Sequence, residues 1–165
     1  MARVMTHIRD MTLDDIDAVL TIEQATFSAP WSRQMLTDEL GASRRNYIVL
    51  EGPAGLEGYG GVMVTEDEGH VMTIAVTHDM QGRGYGTGLM VTLLQAAIEM
   101  GATRMLLEVR PSNRAARRMY QKFGFVPVGI RPRYYRDEDA IVMWVDDAET
   151  ESFAARLEEL DKTWR

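Results

Sequence analysis

The sequence predicts one domain of the α/β (α+β) class, in which helices flank a central sheet, followed by a helical extension. Its 165 residues suffice for a single core that buries roughly two-thirds of the surface exposed by the unfolded chain. Short runs rich in β-branched residues alternate with segments whose apolar residues recur at helical spacing. A glycine-rich stretch at residues 81–88 joins one such strand to one such helix. We expect residues 1–146 to form the domain and residues 147–165 to form an amphipathic helical extension.

Turn and capping residues divide the first half of the chain. Thr12 and Ser32 are N-cap candidates, whereas Pro30 and Gly41 are residues that end helices. Residues 52–55, Gly-Pro-Ala-Gly, suit a turn between two antiparallel strands. The predicted elements are a strand at 7–10, a helix from the Thr12 cap to about residue 27, a helix from the Ser32 cap to Gly41, and strands at 47–51, 56–65 and 70–76.

Apolar periodicity predicts the elements of the second half. Gly101 lies where a left-handed C-cap residue is expected, and Gly124 ends the next helix. The predicted elements are helices at 89–98 and 113–123, strands at 105–110, 125–130 and 140–145, and a terminal helix at 147–164. One apolar line runs along that terminal helix, which predicts docking on the domain or on a second copy. Its members are Phe153, Leu157, Leu160 and Trp164.

The composition excludes several classes of protein. Because the chain has no cysteine, it has no disulfide, no thiolate metal site and no cysteine nucleophile. The net charge of −7 argues against non-specific nucleic-acid binding, although residues 110–136 hold eight Arg or Lys residues and no acid. His7, His70 and His78 lack the spacing of metal ligands, so no metal is assigned. No apolar run reaches about 18 residues, and we expect a cytoplasmic protein without membrane contact.

The glycine stretch, residues 81–88 (Gln-Gly-Arg-Gly-Tyr-Gly-Thr-Gly), is predicted to bind an anion. The first N–H groups of a helix lack intrahelical partners and carry the positive end of its dipole, and glycines let a phosphate approach them. The spacing does not fit the G-x-G-x-x-G fingerprint of dinucleotide sites, and no lysine follows the last glycine as in a Walker loop. We therefore expect a phosphate-bearing cofactor of another kind; the alternative is a glycine-rich turn that binds nothing.

Three motifs together carry a resemblance to a known family. Gln81, Gly84 and Gly86 fit the pattern of Gln or Arg, two residues, Gly, one residue, and Gly or Ala. The strand at 105–110 contains the motif Glu-Val-Arg, which begins at Glu108, and a Ser-Asn helix start follows it. Tyr120 lies three residues before Phe-Gly-Phe. The chain thus resembles the GNAT superfamily of acyl-CoA-dependent N-acyltransferases, and within it the bacterial ribosomal-protein-alanine N-acetyltransferases. The resemblance implies a mixed, mostly antiparallel sheet and acetyl-CoA as co-substrate.

The same resemblance implies the reaction and assigns roles to residues. Acetyl transfer to the N-terminal α-amine of a protein is expected, and the acceptor is the N-terminal alanine of a small-subunit ribosomal protein. Glu108 matches the base that takes the amine proton, and Tyr120 matches the acid that protonates the departing thiolate. Phe27, Trp31 and Tyr134 fall in segments that line the acceptor site. The residues that match the acetyl-CoA site are Ile74, Ala75, Val76, Gln81, Gly82, Arg83, Gly84, Tyr85, Gly86, Thr87 and Asn113.

Each catalytic assignment has a structural alternative. Glu108 could pair with Arg110 two residues away, Tyr120 could be a core residue beside Ala116, and Asn113 could serve only as a helix start. The rival functions are a lysine or small-amine acetyltransferase of the same fold, and a non-catalytic module that binds CoA or ribosomal RNA. Without cysteine, transfer is expected to be direct, in a ternary complex. The expected partner is the acceptor protein, with no specific nucleic acid, and the oligomeric state stays open.

Overall fold

The structure, a computed structural model, describes residues 5–165. These residues contain seven strands and five α-helices. The first four residues of the predicted 1–146 domain lie outside the described residues. The strands are β1 (His7–Asp10), β2 (Arg45–Gly52), β3 (Gly55–Thr65), β4 (Glu68–Val76), β5 (Arg104–Val109), β6 (Val126–Tyr135) and β7 (Glu138–Val145). The helices are α1 (Ile16–Thr26), α2 (Arg33–Gly41), α3 (Tyr85–Glu99), α4 (Arg114–Lys122) and α5 (Glu151–Asp161).

The strands form one mixed sheet in the order β1-β2-β3-β4-β5-β7-β6. All neighbouring pairs are antiparallel except β4 and β5, which are parallel. Helix α3 connects those two strands, because parallel neighbours need a crossover that a tight turn cannot provide. The predicted α/β class with a mixed, mostly antiparallel sheet is confirmed.

The two faces of the sheet carry separate cores. In β2, Ile48 and Leu50 belong to one core, while Tyr47 and Val49 belong to the other. This division follows from the alternation of successive side chains along a strand. Helices α3, α4 and α5 cover the first face, and α1 and α2 cover the second. Within residues 5–165, no helix is both long and apolar enough to span a bilayer.

Strands β4 and β5 pair over only a short length. The register joins Glu68–His70 of β4 to residues 104–106 of β5, and no further pairs connect the two strands. Strand β4 nevertheless continues to Val76 and β5 to Val109. Among the described residues, the edge of β4 beyond His70 and the facing edge of β5 beyond residue 106 therefore have no strand partner. Backbone donors and acceptors are left available along both edges.

The start of α1 is held by an ion pair that the sequence did not suggest. Arg9 donates to both carboxylate oxygens of Asp15, at 2.8 and 2.9 Å, and the Thr12 N–H donates to Asp15 Oδ2 at 2.8 Å. Asp15 is buried. Hydrogen bonding from Arg9 is the main cause that holds the pKa of Asp15 below its usual value.

The terminal helix is shorter than predicted and docks on its own domain. Helix α5 spans Glu151–Asp161, and the Thr150 side chain accepts the Phe153 N–H at 3.2 Å as its N-cap. Phe153 and Leu157 are buried in the same core as α3 and α4. The capping residue explains the later start, because the Thr150 side chain satisfies one of the first N–H groups of the helix.

The last hairpin is longer than the sequence predicted. Strand β6 continues to Tyr135 and β7 begins at Glu138, so the turn consists only of Arg136 and Asp137. An irregular register between Arg131 and Tyr135 accommodates the left-handed residue Arg133, whose φ is 53°. Tyr134 and Tyr135 therefore lie on a strand instead of in a loop. Such a bulge cannot be read from local residue preferences.

Candidate active site

Glu108 lies on β5 with its carboxylate held by two basic side chains. Leu107 and Val109 face the core, so alternation directs Glu108 to the opposite face of the sheet. Its Oε2 lies 2.6 Å from His70 Nε2, and its Oε1 lies 3.3 Å from Arg131 Nε. The side chain is 5% exposed. A carboxylate that is buried and hydrogen-bonded in this way is fixed in position, as a catalytic base must be.

His70 is a site residue that the sequence interpretation missed. It occupies the last paired position of β4, opposite Leu106, where the parallel pairing with β5 ends. His70 lies 38 positions before Glu108 in the chain, and the whole of α3 lies between them. Only the β4–β5 register shows that the two side chains meet. The one available signal was a polar residue at an alternate position of a strand otherwise rich in apolar residues.

Arg110 does not pair with Glu108, contrary to the structural alternative. Its guanidinium binds Asp137 at 2.8 Å, Glu138 at 3.5 Å and Ser28 Oγ at 3.3 Å. It also lies 4.3 Å from the centre of the Tyr135 ring. Arg110 thus ties the segment between α1 and α2 to the β6–β7 turn. These are the two segments predicted to line the acceptor site.

Tyr120 lies on α4 and is buried among the side chains of the main core. It is 6% exposed, and its ring centre lies 6.1 Å from that of Phe125. Burial raises the pKa of Tyr120 far above its usual value, with a smaller contribution from Tyr135. Its phenol therefore keeps its proton at neutral pH. Among residues 5–165 its hydroxyl makes no hydrogen bond, which leaves this donor free for a ligand.

Two tyrosines of β6 share the surroundings of Glu108. Tyr134 and Tyr135 pack edge to face, with ring centres 4.9 Å apart. Burial raises the pKa of Tyr135 to about 12, and Tyr134 and Glu108 add smaller contributions. Burial followed by the charge of Glu108 also raises the pKa of Tyr134. The carboxylate is thus within electrostatic range of both phenols. Tyr135 also raises the pKa of Tyr120. Glu108, Tyr134, Tyr135 and Tyr120 therefore lie near one another.

The glycine stretch forms a loop and the first turn of a helix. Gly82 and Gly84 have φ angles of 76° and 88°, a left-handed conformation that favours glycine. Helix α3 begins at Tyr85 and not beyond residue 88 as predicted, since Gly84 serves as its N-cap. Its first intrahelical donor is the Gly88 N–H, which bonds Gly84 O at 3.2 Å. The N–H groups of residues 85–87 therefore have no intrahelical acceptor.

Other predicted acetyl-CoA residues surround this turn. The Gln81 side chain donates to Val76 O at 3.1 Å, which ties the loop to the end of β4. Arg83 and Tyr85 line a cavity of about 760 Å³. Asn113 is the N-cap of α4, and its Oδ1 accepts the Ala116 N–H at 3.2 Å. Asn113 thus starts the helix, as the structural alternative expected. Because its Oδ1 serves as the cap, its amide NH₂ group can still donate to a ligand.

The segment between α1 and α2 is anchored by a buried carboxylate that was also missed. Glu23 is 1% exposed and accepts the Trp31 N–H at 2.9 Å. Glu23 also accepts the Tyr59 hydroxyl, which lies 3.2 Å from Thr73 Oγ1 on β4. Burial raises the pKa of Glu23, against the opposing effect of the Trp31 N–H. This network positions Trp31 relative to β4, whereas Phe27 is exposed at the other end of the segment.

The acidic turn after β6 is engaged internally. Asp137 and Glu138 bind Arg110, Glu138 also accepts the N–H and hydroxyl of Ser112, and Asp139 accepts the Arg133 N–H. These carboxylates hold the hairpin against β5 and the start of α4. In residues 5–165, no group of three or more His, Asp or Glu side chains is arranged to hold a metal ion.

Comparison with known proteins identifies the family. Residues 16–125, which include strands β2 to β5 and the glycine stretch, match the acetyltransferase (GNAT) family. The chain belongs to the GNAT acetyltransferase family. It is accordingly an acyltransferase of the N-acetyltransferase type, and acetyltransferases of this fold use acetyl-CoA. The resemblance predicted from the three motifs is confirmed.

Individual relatives cover most of the chain. A candidate ribosomal protein bS18-alanine N-acetyltransferase of Bacillus subtilis is 38% identical over 141 residues, which are 84% of this chain and 93% of that protein. The crystal structure of the ribosomal-protein-S18-alanine N-acetyltransferase of Escherichia coli is 32% identical, with a TM-score of 0.77, over 86% of this chain and 93% of that one. The Ard1 structure from Thermoplasma volcanium is 28% identical, with a TM-score of 0.78. The match covers 86% of this chain and 97% of that one.

Proposed function

We propose that this GNAT acetyltransferase transfers the acetyl group of acetyl-CoA to the N-terminal α-amine of a protein. Its acceptor is the N-terminal alanine of a small-subunit ribosomal protein. Relatives at 32% and 38% identity are named for this activity on ribosomal protein bS18, which supports the choice of acceptor. The observation that carries the proposal is the carboxylate of Glu108, fixed beside His70 where β4 and β5 stop pairing.

The backbone supplies the groups that hold acetyl-CoA. Residues Ile74, Ala75 and Val76 of β4 lie beyond the last pair with β5, so their backbone can bond the pantetheine arm as a strand would. The N–H groups of residues 85–87, which have no intrahelical acceptor and lie at the positive end of α3, suit the diphosphate. Arg83 beside this turn adds a positive charge.

Glu108 and His70 prepare the amine for attack. The α-amine has an ordinary pKa of about 7.7–8.0, against about 10.4 for lysine, so less driving force is needed to neutralise it. Glu108 accepts the amine proton, and His70 at 2.6 Å can receive it when its imidazole is neutral. The neutral nitrogen then attacks the thioester carbonyl, and a backbone N–H of residues 74–76 stabilises the oxyanion.

Tyr120 completes the transfer. When the tetrahedral intermediate collapses, the C–S bond breaks while the new C–N bond remains, and the electron pair goes to sulfur. The nitrogen loses its extra proton to solvent and becomes the amide. Tyr120 donates its phenolic proton to the thiolate and later recovers a proton from solvent. An ordinary phenol pKa of about 10 already keeps the donor protonated before each turnover, and burial raises that pKa further. No cysteine exists to carry the acetyl group, so transfer is direct within a ternary complex.

The acceptor chain end lies between two aromatic segments. Trp31, with its backbone held by Glu23, forms one side together with Phe27. Tyr134 and Tyr135 on β6 form the other side, and Arg110 links the two through Ser28 and Asp137. An exposed tyrosine next to the base suits an extended peptide end, because its ring packs against the chain while its hydroxyl stays hydrated.

A pair of peptides tests this proposal. Both carry an N-terminal alanine and one internal lysine, but one has a free α-amine and the other is blocked at its N-terminus. With acetyl-CoA, the free peptide should release CoA thiol and gain one acetyl group on its first residue, while the blocked peptide should not react. Acetylation of the lysine in both peptides would favour the rival lysine acetyltransferase. Comparing N-terminal peptides of ribosomal proteins from a deletion strain and its parent identifies the acceptor.

A further inference from the structure

The last four residues, 162–165, here called the tail, pack against the start of α3. A Cβ placed on Gly88 would lie 2.5 Å from Trp164 Cδ2 and 2.7 Å from its Cε2, so the indole ring rests directly on the helix backbone. A Cβ on Gly84 would lie 3.5 Å from Trp164 Cβ. Gly84 and Gly88 are one helical turn apart, and Trp164 covers the face that they share.

The ring of Trp164 is held in this position from α5. Its Nε1–H donates to Asp161 Oδ1 at 2.8 Å. Arg165 donates to the other oxygen of Asp161 at 3.0 Å, and its guanidinium lies 5.2 Å from the ring centre. Helix α5 is itself anchored in the core by Phe153 and Leu157. Contacts thus connect the core, through α5 and Trp164, to the glycine stretch.

The start of α3 needs outside support because its own sequence favours helix poorly. Two of the first four residues of α3, Gly86 and Gly88, are glycines, each costing about 1 kcal/mol relative to alanine within a helix. The first turn of a helix also lacks intrahelical bonds for its N–H groups and therefore frays readily. These are the same N–H groups that the proposed function assigns to the diphosphate of acetyl-CoA.

We propose that Trp164 is a positioning residue for acetyl-CoA, which acts by holding the first turn of α3 in its binding geometry. The inference rests on the proposed function, in which that turn binds the diphosphate. It extends beyond the family match, which ends at residue 125. A preformed turn binds without the cost of ordering it, so loss of the indole weakens binding of the co-substrate without removing any reacting group.

Two variants separate positioning from mere stability. W164A removes the indole, whereas the control L36A cuts a buried side chain of α2 in the separate core on the other face of the sheet, away from α3 and α5. By calorimetry below the unfolding transition, W164A should weaken binding of CoA about tenfold, and L36A should leave it within about twofold. W164A should also raise the KM for acetyl-CoA while kcat changes little. L36A should lower the melting temperature at least as much as W164A, and W164F should recover most of the affinity.

A readout without ligand keeps the test independent. Amide hydrogen exchange at residues 85–88 of the free protein should accelerate in W164A and not in L36A. Equal CoA affinity and equal exchange in wild type and W164A would overturn the positioning role alone. A wild-type protein that binds no CoA would overturn the proposed function, and the positioning role with it. W164L gives the same comparison with less loss of packing should W164A fail to fold.

Discussion

Adding one methyl group at Gly88 tests whether the tail docks on α3. Gly88 lies inside α3 and has no left-handed φ, so alanine would ordinarily stabilise the helix by about 0.8–1.0 kcal/mol. Here the new Cβ would lie 2.5, 2.7 and 2.9 Å from three ring carbons of Trp164. Carbon atoms prefer separations of about 3.5–4.0 Å, so the ring must move by about 1 Å or detach.

The expected magnitude follows from these opposing terms. Overpacking of this kind costs about 1–3 kcal/mol, so G88A should leave the wild type between unchanged and about 2 kcal/mol less stable. In the W164A background the clash is gone, and the same substitution should stabilise the protein by about 1 kcal/mol. The coupling between the two substitutions is therefore expected to be about 1–3 kcal/mol.

Urea unfolding of the four proteins in this cycle measures the coupling. G41A is a matched control, because a Cβ at Gly41, also a helical residue, has no neighbour within 4 Å. Its effect should have the same sign and size with and without Trp164. If G88A stabilises the wild type as much as it stabilises W164A, the indole does not rest on α3 in solution and the reasoning is refuted.

Further predictions concern the catalytic groups and the start of α1. Glu108→Gln should lower kcat/KM about 10²- to 10⁴-fold without affecting CoA affinity by calorimetry; unchanged turnover would remove its role as base. His70→Gln keeps a hydrogen bond to Glu108 but cannot accept a proton, so kcat should fall about tenfold at constant KM for acetyl-CoA, and an unaltered kcat would leave His70 a structural residue. Tyr120→Phe should slow thiol release about 10²-fold, and wild-type release would contradict the donor assignment. Asp15→Asn should destabilise the protein by about 1–3 kcal/mol at pH 7, because Arg9 lowers the pKa of Asp15 and the carboxylate therefore adds stability above its unfolded pKa. That difference should vanish as the pH falls through the folded pKa; in urea unfolding at several pH values, a difference that does not depend on pH would exclude this linkage.

Local signals predicted the strand-to-helix turn and supplied the candidate catalytic residues. Gly84 and Gly86 marked the strand-to-helix turn, and Glu108 and Tyr120 were identified from short motifs around them. These features are short-range, since a turn or a helix start depends on residues within a few positions of each other. Element boundaries were less accurate where a capping residue decides them, as Thr150 does for α5 and Gly84 does for α3.

Partners distant in sequence could not be predicted in this way. Glu108 was identified from its place on a predicted strand. Its pairing with His70 depends on the register of two parallel strands joined through a helix, which the sequence does not show. Glu23 looked like one more residue of an amphipathic helix, although it is a buried anchor for Trp31. Such contacts have no local signature, because each side chain is an ordinary residue of its own element.

The sequence by itself therefore determined the fold class and the position of the strand-to-helix turn, since periodicity, capping and glycine spacing act over a few residues, and its motifs indicated the family. Only the tertiary structure decided which side chains face Glu108 and what the terminal segment does. Trp164 meets Gly88 because α5 packs beside α3, an arrangement set by burial of Phe153 and Leu157 in a core that many parts of the chain share. Hydrophobic burial is non-directional, so a sequence shows which residues will be buried but not which ones will meet.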